Sequence, residues 1–205
     1  MSDYNNEQLG IEPAPNLKVE LWRDALGWAK TILFAVVFAL LINNFIIVNA
    51  SVPTGSMEGT IRVNDRIVAF RLAYLFSEPS RFDIVVFRGP EDSSILYVKR
   101  IIGLPGERIN IVDGRVYVND EPVPLRYDFV QGNVFGNFGP YPDVPDGHVG
   151  DYPVIPEGHF FVLGDNRGNS VDSRHWNDNR FVSEDDILGR VIFRYFPGFQ
   201  SLTNT

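Results

Sequence analysis

From Thr31 to Met57 no side chain carries a charge, a run of 27 residues bounded by Lys30 and Glu58. Its first part, Thr31-Ile-Leu-Phe-Ala-Val-Val-Phe-Ala-Leu-Leu-Ile42, is almost wholly apolar, and Asn43-Asn44 interrupt it before Phe45-Ile-Ile-Val48. A helix that crosses a bilayer needs roughly 20 mostly apolar residues, because no water is there to satisfy an exposed backbone. Residues 29–48 supply that length, with Trp28 and Lys30 where interfacial anchors belong. The run therefore reads as one transmembrane anchor over 29–48, preceded by a tail over 1–28. Two other readings use the same residues. One is a buried core helix. The other is a cleaved export signal, since Val48-Asn49-Ala50 resembles a small-residue cleavage site, although the charged leader of about 30 residues exceeds an ordinary signal's n-region. Lys18, Arg23 and Lys30 precede the run, and the next basic residue is Arg62. That asymmetry puts the N-terminus in the cytoplasm of a single-pass cell-membrane protein, with residues 49–205 outside.

Those 49–205 read as mainly β. Residues 66–70, 82–87, 95–98, 159–163 and 188–194 are short and rich in β-branched and aromatic side chains. Residues 108–112 and 115–118 flank Asp113-Gly114, a dipeptide suited to a type I′ hairpin turn. Residues 119–157 are Pro- and Gly-rich without periodicity and read as a long loop or small inserted lobe. The expected architecture is an antiparallel β-sheet domain with that insertion, after one N-terminal helix.

Composition removes several kinds of chemistry. No cysteine is present, which excludes a thiol protease, a disulfide scaffold and Cys-bound zinc. A formal net charge of -8 argues against a nucleic-acid surface. His148, His159 and His175 are too dispersed for a metal-binding spacing, and no cofactor or metal is expected. Of 18 basic residues only Lys18, Lys30 and Lys99 are lysine. Arginine stays protonated in proteins, whereas a desolvated lysine amine can become a base, so after residue 30 Lys99 is the one such candidate apart from histidine. Ser56, in Val52-Pro-Thr-Gly-Ser-Met57, is a hydroxyl presented by a tight loop; such a nucleophile needs a base. A third segment, Gly164-Asp-Asn-Arg-Gly-Asn-Ser-Val-Asp-Ser-Arg174, is dense in turn formers, hydroxyls and alternating charge. It reads either as a loop held by its own side chains or as support for a site, with Ser170 orienting an amine and Asp165, Asp172 and Arg174 bracing it. Spacing alone does not choose.

Taken in order, these segments resemble bacterial type I signal peptidases, and the Gram-positive members in particular. The residues that carry the resemblance are Pro53-Thr-Gly-Ser-Met57, Arg81-Phe-Asp-Ile-Val-Val-Phe87, Lys99-Arg-Ile-Ile-Gly-Leu-Pro-Gly-Glu107 and Gly164–Arg174. The resemblance implies a serine–lysine endopeptidase that removes signal peptides from exported preproteins after small residues, at a lipid bilayer. It implies Ser56 as nucleophile, Lys99 as general base, Ser170 as the hydroxyl bonding that lysine, and Thr54 with the Ser56 N–H as oxyanion donors. It further implies Asp172 and Arg174 as a supporting pair. Val52, Pro53, Met57, Ile61, Tyr97 and Val98 would line pockets for small residues at -1 and -3. Two positions depart from the family pattern: Gly59 stands where a proline is usual, and Thr54 where many members have serine. The competing expectations are another serine–lysine peptidase, such as a self-cleaving repressor, or a catalytically silent membrane-anchored scaffold.

Overall fold

The structure is a computed structural model that describes residues 17–112, 115–123, 150–176 and 180–203. It divides into two units, Met1–Ile42 and Asn43–Thr205. The first contains helix α1, Leu17–Leu41. Its apolar side chains point outward on every side: Ile32, Leu33, Phe34 and Phe38 are all more than half exposed. Phe34 and Phe38, one turn apart, stack with ring centroids 6.1 Å apart. The helical stretch Leu21–Ile46 contains an 18-residue window of mean hydropathy 2.2, none of it buried, so it is long and apolar enough to cross a membrane.

The helix ends earlier than residue 48. Ile42–Ile46 form one π-helical turn around Asn43 and Asn44, which are weak helix formers, and strand β1 (Ile47–Ser51) begins directly after it. Ile47 and Val48, read from the sequence as the outer end of the span, therefore belong to the β domain, where Val48 is 7 % exposed. Their β-branched side chains suit an extended backbone as well as they suit lipid.

The remaining strands are β2 (Arg66–Phe70), β3 (Ile84–Arg88), β4 (Leu96–Gly103), β5 (Ile109–Val112), β6 (Arg115–Val118), β7 (Glu121–Pro122), β8 (Gly150–Asp151), β9 (His159–Leu163), β10 (Val182–Ser183), β11 (Ile187–Phe196) and β12 (Gln200–Ser201). Among the described residues every pairing is antiparallel. The main sheet runs β1-β2-β11-β3-β4-β9-β10, with β12 on β11, and a second sheet runs β7-β6-β5-β8. The expected hairpin is present as β5–β6, closing between Val112 and Arg115, and its Asp113-Gly114 turn lies outside the described residues. Residues 119–157 contribute the short edges β7 and β8 to the second sheet, and residues 124–149 of that segment lie outside the described residues.

Alternation along the strands separates three apolar clusters. Val52, Met57, Ile61, Ile67, Ile84 and Val86 belong to the first. Val85, Phe87, Ile101, Val162 and Trp176 belong to the second, with Tyr97 packed on it. The third joins β5, β6 and β9 through Ile109, Val116 and Phe161. Trp176 meets Phe87 and Tyr97 edge-on at 6.0 and 5.6 Å, which fixes the end of β4 on which Lys99 is carried.

Candidate active site

Ser56 lies on a single 3-10 turn, Gly55–Met57, between β1 and β2. All three of its residues are buried, and Met57 and Ile61 hold the turn down by filling the first apolar cluster. The segment after β9 holds it from the other side. The Asn166 N–H donates to Ser56 O at 3.0 Å, and Thr60 Oγ1 donates to Asp165 Oδ2 at 2.6 Å. Asp165 is in turn held by Arg100, through Nε to Oδ1 at 2.8 Å and Nη2 to Oδ2 at 2.7 Å. The chain leaves the turn through Gly59 at φ +104°. Proline, locked near φ -65°, does not fit that conformation.

Lys99 enters from β4, opposite Val85 of β3. It is 2 % exposed, and its Nζ donates to Ser56 Oγ at 2.6 Å. The Tyr97 ring centroid lies 5.7 Å from the amine. Burial lowers the Lys99 pKa from 10.5 to about 8; the Asp172 and Asp165 charges pull it back up, while Arg174 pushes it down. A lysine with that pKa is neutral in about one molecule in ten at pH 7, against about one in 2,500 for a free side chain. The pair can therefore move a proton from the hydroxyl to the amine near neutral pH. Thr54 Oγ1 is 3.5 Å from Ser56 Oγ, on the extended residue that leads into the turn.

Ser170 Oγ donates to Asp172 Oδ2 at 2.7 Å. A hydroxyl has one donor and two acceptor sites, so this bond commits the proton and leaves lone pairs suited to an amine. Asp172 is fully buried and also accepts from the Gly164 N–H at 3.0 Å and from Arg174 Nε at 2.8 Å and Nη2 at 2.9 Å. Burial alone would raise its pKa; hydrogen bonds from His175 and Arg174 and the charges of Arg174 and Arg167 outweigh that and hold the carboxyl well below its usual range. Gly164 leaves no room for a side chain: a Cβ there would overlap the Ser170 Oγ and the Ser56 carbonyl. Gly164→Ala is expected to cost about 1–3 kcal/mol, read in a thermal melt, because relief of that overlap displaces Ser170 or the Ser56 turn.

A cavity of about 830 Å³ opens over the pair. Asn49–Thr54 line one wall and Ile95–Lys99 the other, so Val52, Pro53, Tyr97 and Val98 all face it together with Thr54, Ser56, Lys99, Ser170 and Arg174. Met57 and Ile61 are not among the lining residues; both are completely buried in the apolar cluster behind the turn. Their place there follows from their apolar side chains, which the core and a pocket accept equally well. Asp165 and Asp172 likewise stand behind the surface and act through Arg100, Thr60, Ser170 and Arg174. Sequence reasoning passed over Arg100, Asn166 and Glu58; the first two stand inside quoted segments, but nothing local indicates which distant backbone they meet.

The chain is similar to proteins already known. The family model for signal peptidase, peptidase S26, matches residues 25–196. Signal peptidase I of Leptolyngbya laminosa is 35% identical over 175 residues, covering 82% of this chain and 78% of that one. Signal peptidase I T of Bacillus subtilis is 36% identical over 180 residues, covering 84% and 86%. A solved signal peptidase I from Enterococcus faecalis aligns at 29% identity with a TM-score of 0.43, covering 56% of this chain and 97% of that one.

Proposed function

The chain belongs to the signal peptidase family, peptidase S26, and on that premise we propose that it is a membrane-anchored serine endopeptidase that cuts signal peptides from exported preproteins after small residues. Ser56 is the nucleophile and Lys99 the general base. The observation that carries this reading is a buried hydroxyl and a buried amine 2.6 Å apart at the floor of an open cavity.

Neutral Lys99 takes the Ser56 proton as Oγ attacks the carbonyl carbon that follows a small residue. The Ser56 N–H and the Thr54 hydroxyl receive the developing oxyanion, where one such donor is worth about 3 kcal/mol of barrier. Collapse of the tetrahedral intermediate returns the proton from Lys99 to the leaving amine and leaves an acyl-enzyme. Lys99 then takes a proton from a water, which adds to the ester, and passes that proton to Oγ as the C–O bond breaks and Ser56 is released. Ser170 holds the amine toward the hydroxyl, and Asp172 with Arg174 holds Ser170. Val52, Pro53, Tyr97 and Val98 shape shallow pockets for the residues at -1 and -3.

The apolar stretch ending at Ile46 is the anchor, with the N-terminus cytoplasmic and the β domain outside, and Ser56 follows it by only ten residues (46 to 56). A signal peptide is itself apolar, so anchoring both molecules in one bilayer raises their effective concentration.

Purified full-length protein is expected to cut a preprotein once, after Ala-x-Ala. Leu in place of the Ala at -1 is expected to lower kcat/KM by about 100-fold, because the pocket has to exclude the added carbons. No cut in the Ala-x-Ala substrate, or equal rates for both, overturns the reading.

A further inference from the structure

We propose that Asn166 is a positioning residue for the oxyanion hole, acting on the far end of the peptide group that carries the Ser56 N–H. This rests on the reading of Ser56 as nucleophile. Asn166 Nδ2 donates to Gly55 O at 3.0 Å. Gly55 C=O and Ser56 N–H are the two ends of one peptide plane, and a rigid, trans plane turns as a unit. Whatever fixes the Gly55 carbonyl therefore aims the Ser56 N–H. The bond also draws electron density toward that oxygen, which makes the N–H a stronger donor at the moment an oxyanion forms.

The next peptide plane is held by the same residue. The Asn166 main-chain N–H donates to Ser56 O at 3.0 Å. Both planes flanking the Ser56 Cα are thus pinned by one residue, about 110 positions away in sequence by the same spacing that separates Gly55 from Asn166. The direction of the Asn166 amide is fixed in turn by Glu58, whose Oε2 accepts from Nδ2 at 3.2 Å. With two acceptors, a carbonyl and a carboxylate, the NH₂ end must face the turn, and the flipped amide would set oxygen against oxygen. Gly55 leaves space for this arrangement: a Cβ there would come within 2.9 Å of the Glu58 Cδ. The turn leaves through Gly59 at positive φ, and the Glu58–Asn166–Gly55 chain of hydrogen bonds braces it from outside.

Positioning of the oxyanion donor and simple bracing of a loop differ in what they change. A donor aimed at the oxyanion matters only once that charge exists, so its loss lowers kcat and leaves KM in place. The test compares full-length wild type, Asn166→Ala and the isosteric Asn166→Asp in the preprotein assay. It adds two ligands: a signal-sequence peptide ending in an alaninal aldehyde, and the same peptide ending in a carboxylate. Ser56 Oγ adds to the aldehyde carbon and the carbonyl oxygen moves into the hole, whereas the carboxylate peptide mimics only ground-state contacts. For Asn166→Ala, kcat and aldehyde affinity are each expected to fall on the order of 30-fold, with KM and peptide-acid affinity unchanged. Asn166→Asp is expected to lose more, since a carboxylate then faces Gly55 O and Glu58. An active wild type with unaltered kcat in both variants overturns this inference alone, as does an equal loss of aldehyde and acid binding. A wild type that does not cleave overturns the parent reading before any variant is compared.

Discussion

Lys99→Met is expected to abolish cleavage and to make the protein more stable. On the proposed mechanism the loss of activity follows from the base: without an amine 2.6 Å from Ser56 Oγ, the hydroxyl keeps its proton, and removal of a positioned base costs about 10²–10⁴-fold. The gain in stability follows from the cost of burying the charge. Lys99 titrates at 10.5 when unfolded and at about 8 in the fold. Between those values the unfolded chain holds more protons, so stability rises with pH through that window. Below pH about 8 the full penalty applies, about 3 kcal/mol. Methionine fills a similar volume without it, although it also gives up the hydrogen bond to Ser56 Oγ. A net gain of about 1–2 kcal/mol, or roughly 5 °C in Tm, is expected at pH 7. The same titration sets the pH profile of the wild type. On the proposed mechanism the neutral amine is the active form, so log kcat/KM should climb one unit per pH unit below about 8 and level above it. A Lys99→Met protein that melts lower than wild type, or a wild-type rate flat across neutral pH, would sink this account.

Asp172→Ala is expected to be the most damaging change among the supporting residues. Asp172 is fully buried and accepts hydrogen bonds from Ser170, Gly164 and Arg174. Removing it leaves the Arg174 guanidinium, 8 % exposed, without its carboxylate, and strands a buried hydroxyl and a buried N–H. Breaking one side of a buried ion pair typically costs about 3–5 kcal/mol. The loss of the carboxylate charge also reaches Lys99, whose pKa Asp172 raises. The milder Asp172→Asn separates the two effects: it preserves shape and removes charge. Its residual activity should show a pH midpoint shifted below that of wild type, toward acid, with a lower plateau because Ser170 is no longer held. Calorimetry reads the first effect and the pH dependence of kcat/KM the second; a midpoint that stays put or moves to higher pH contradicts the assignment of Asp172 as the counter-charge.

The long strands were legible because their side chains alternate and branch at Cβ, and β2, β3, β5, β6, β9 and β11 appear close to where those patterns fall. β1 was not, because Ile46-Ile-Val48 is continuous with the apolar run of the helix and hydrophobicity does not distinguish lipid from a sheet. Two-residue edges such as β7, β8, β10 and β12 have no pattern of their own; pairing partners define them. Ser56 and Lys99 stand out by residue type, but their approach across 43 positions is a tertiary fact that local sequence does not contain. Their grouping with Ser170 came from the resemblance rather than from spacing. The roles of Asn166, Glu58 and Arg100 were hidden for a related reason. Each side chain is ordinary for a loop or a strand end, and its meaning depends on the peptide or carboxylate it meets.

If the chain cuts after small residues beside an apolar segment, as proposed, it has to spare itself, since Val48-Asn49-Ala50 offers such a sequence next to its own apolar helix. The pairing of β1 answers this. All five residues from Ile47 to Ser51 are in register with β2, and Val48, the side chain that would have to enter a pocket, is already committed to the core. To become a substrate the segment has to be peeled from the sheet at the expense of its ladder and its packing. On that proposal, what distinguishes self from substrate is foldedness rather than sequence: the same three residues would be bait in an unpaired chain and inert in a strand.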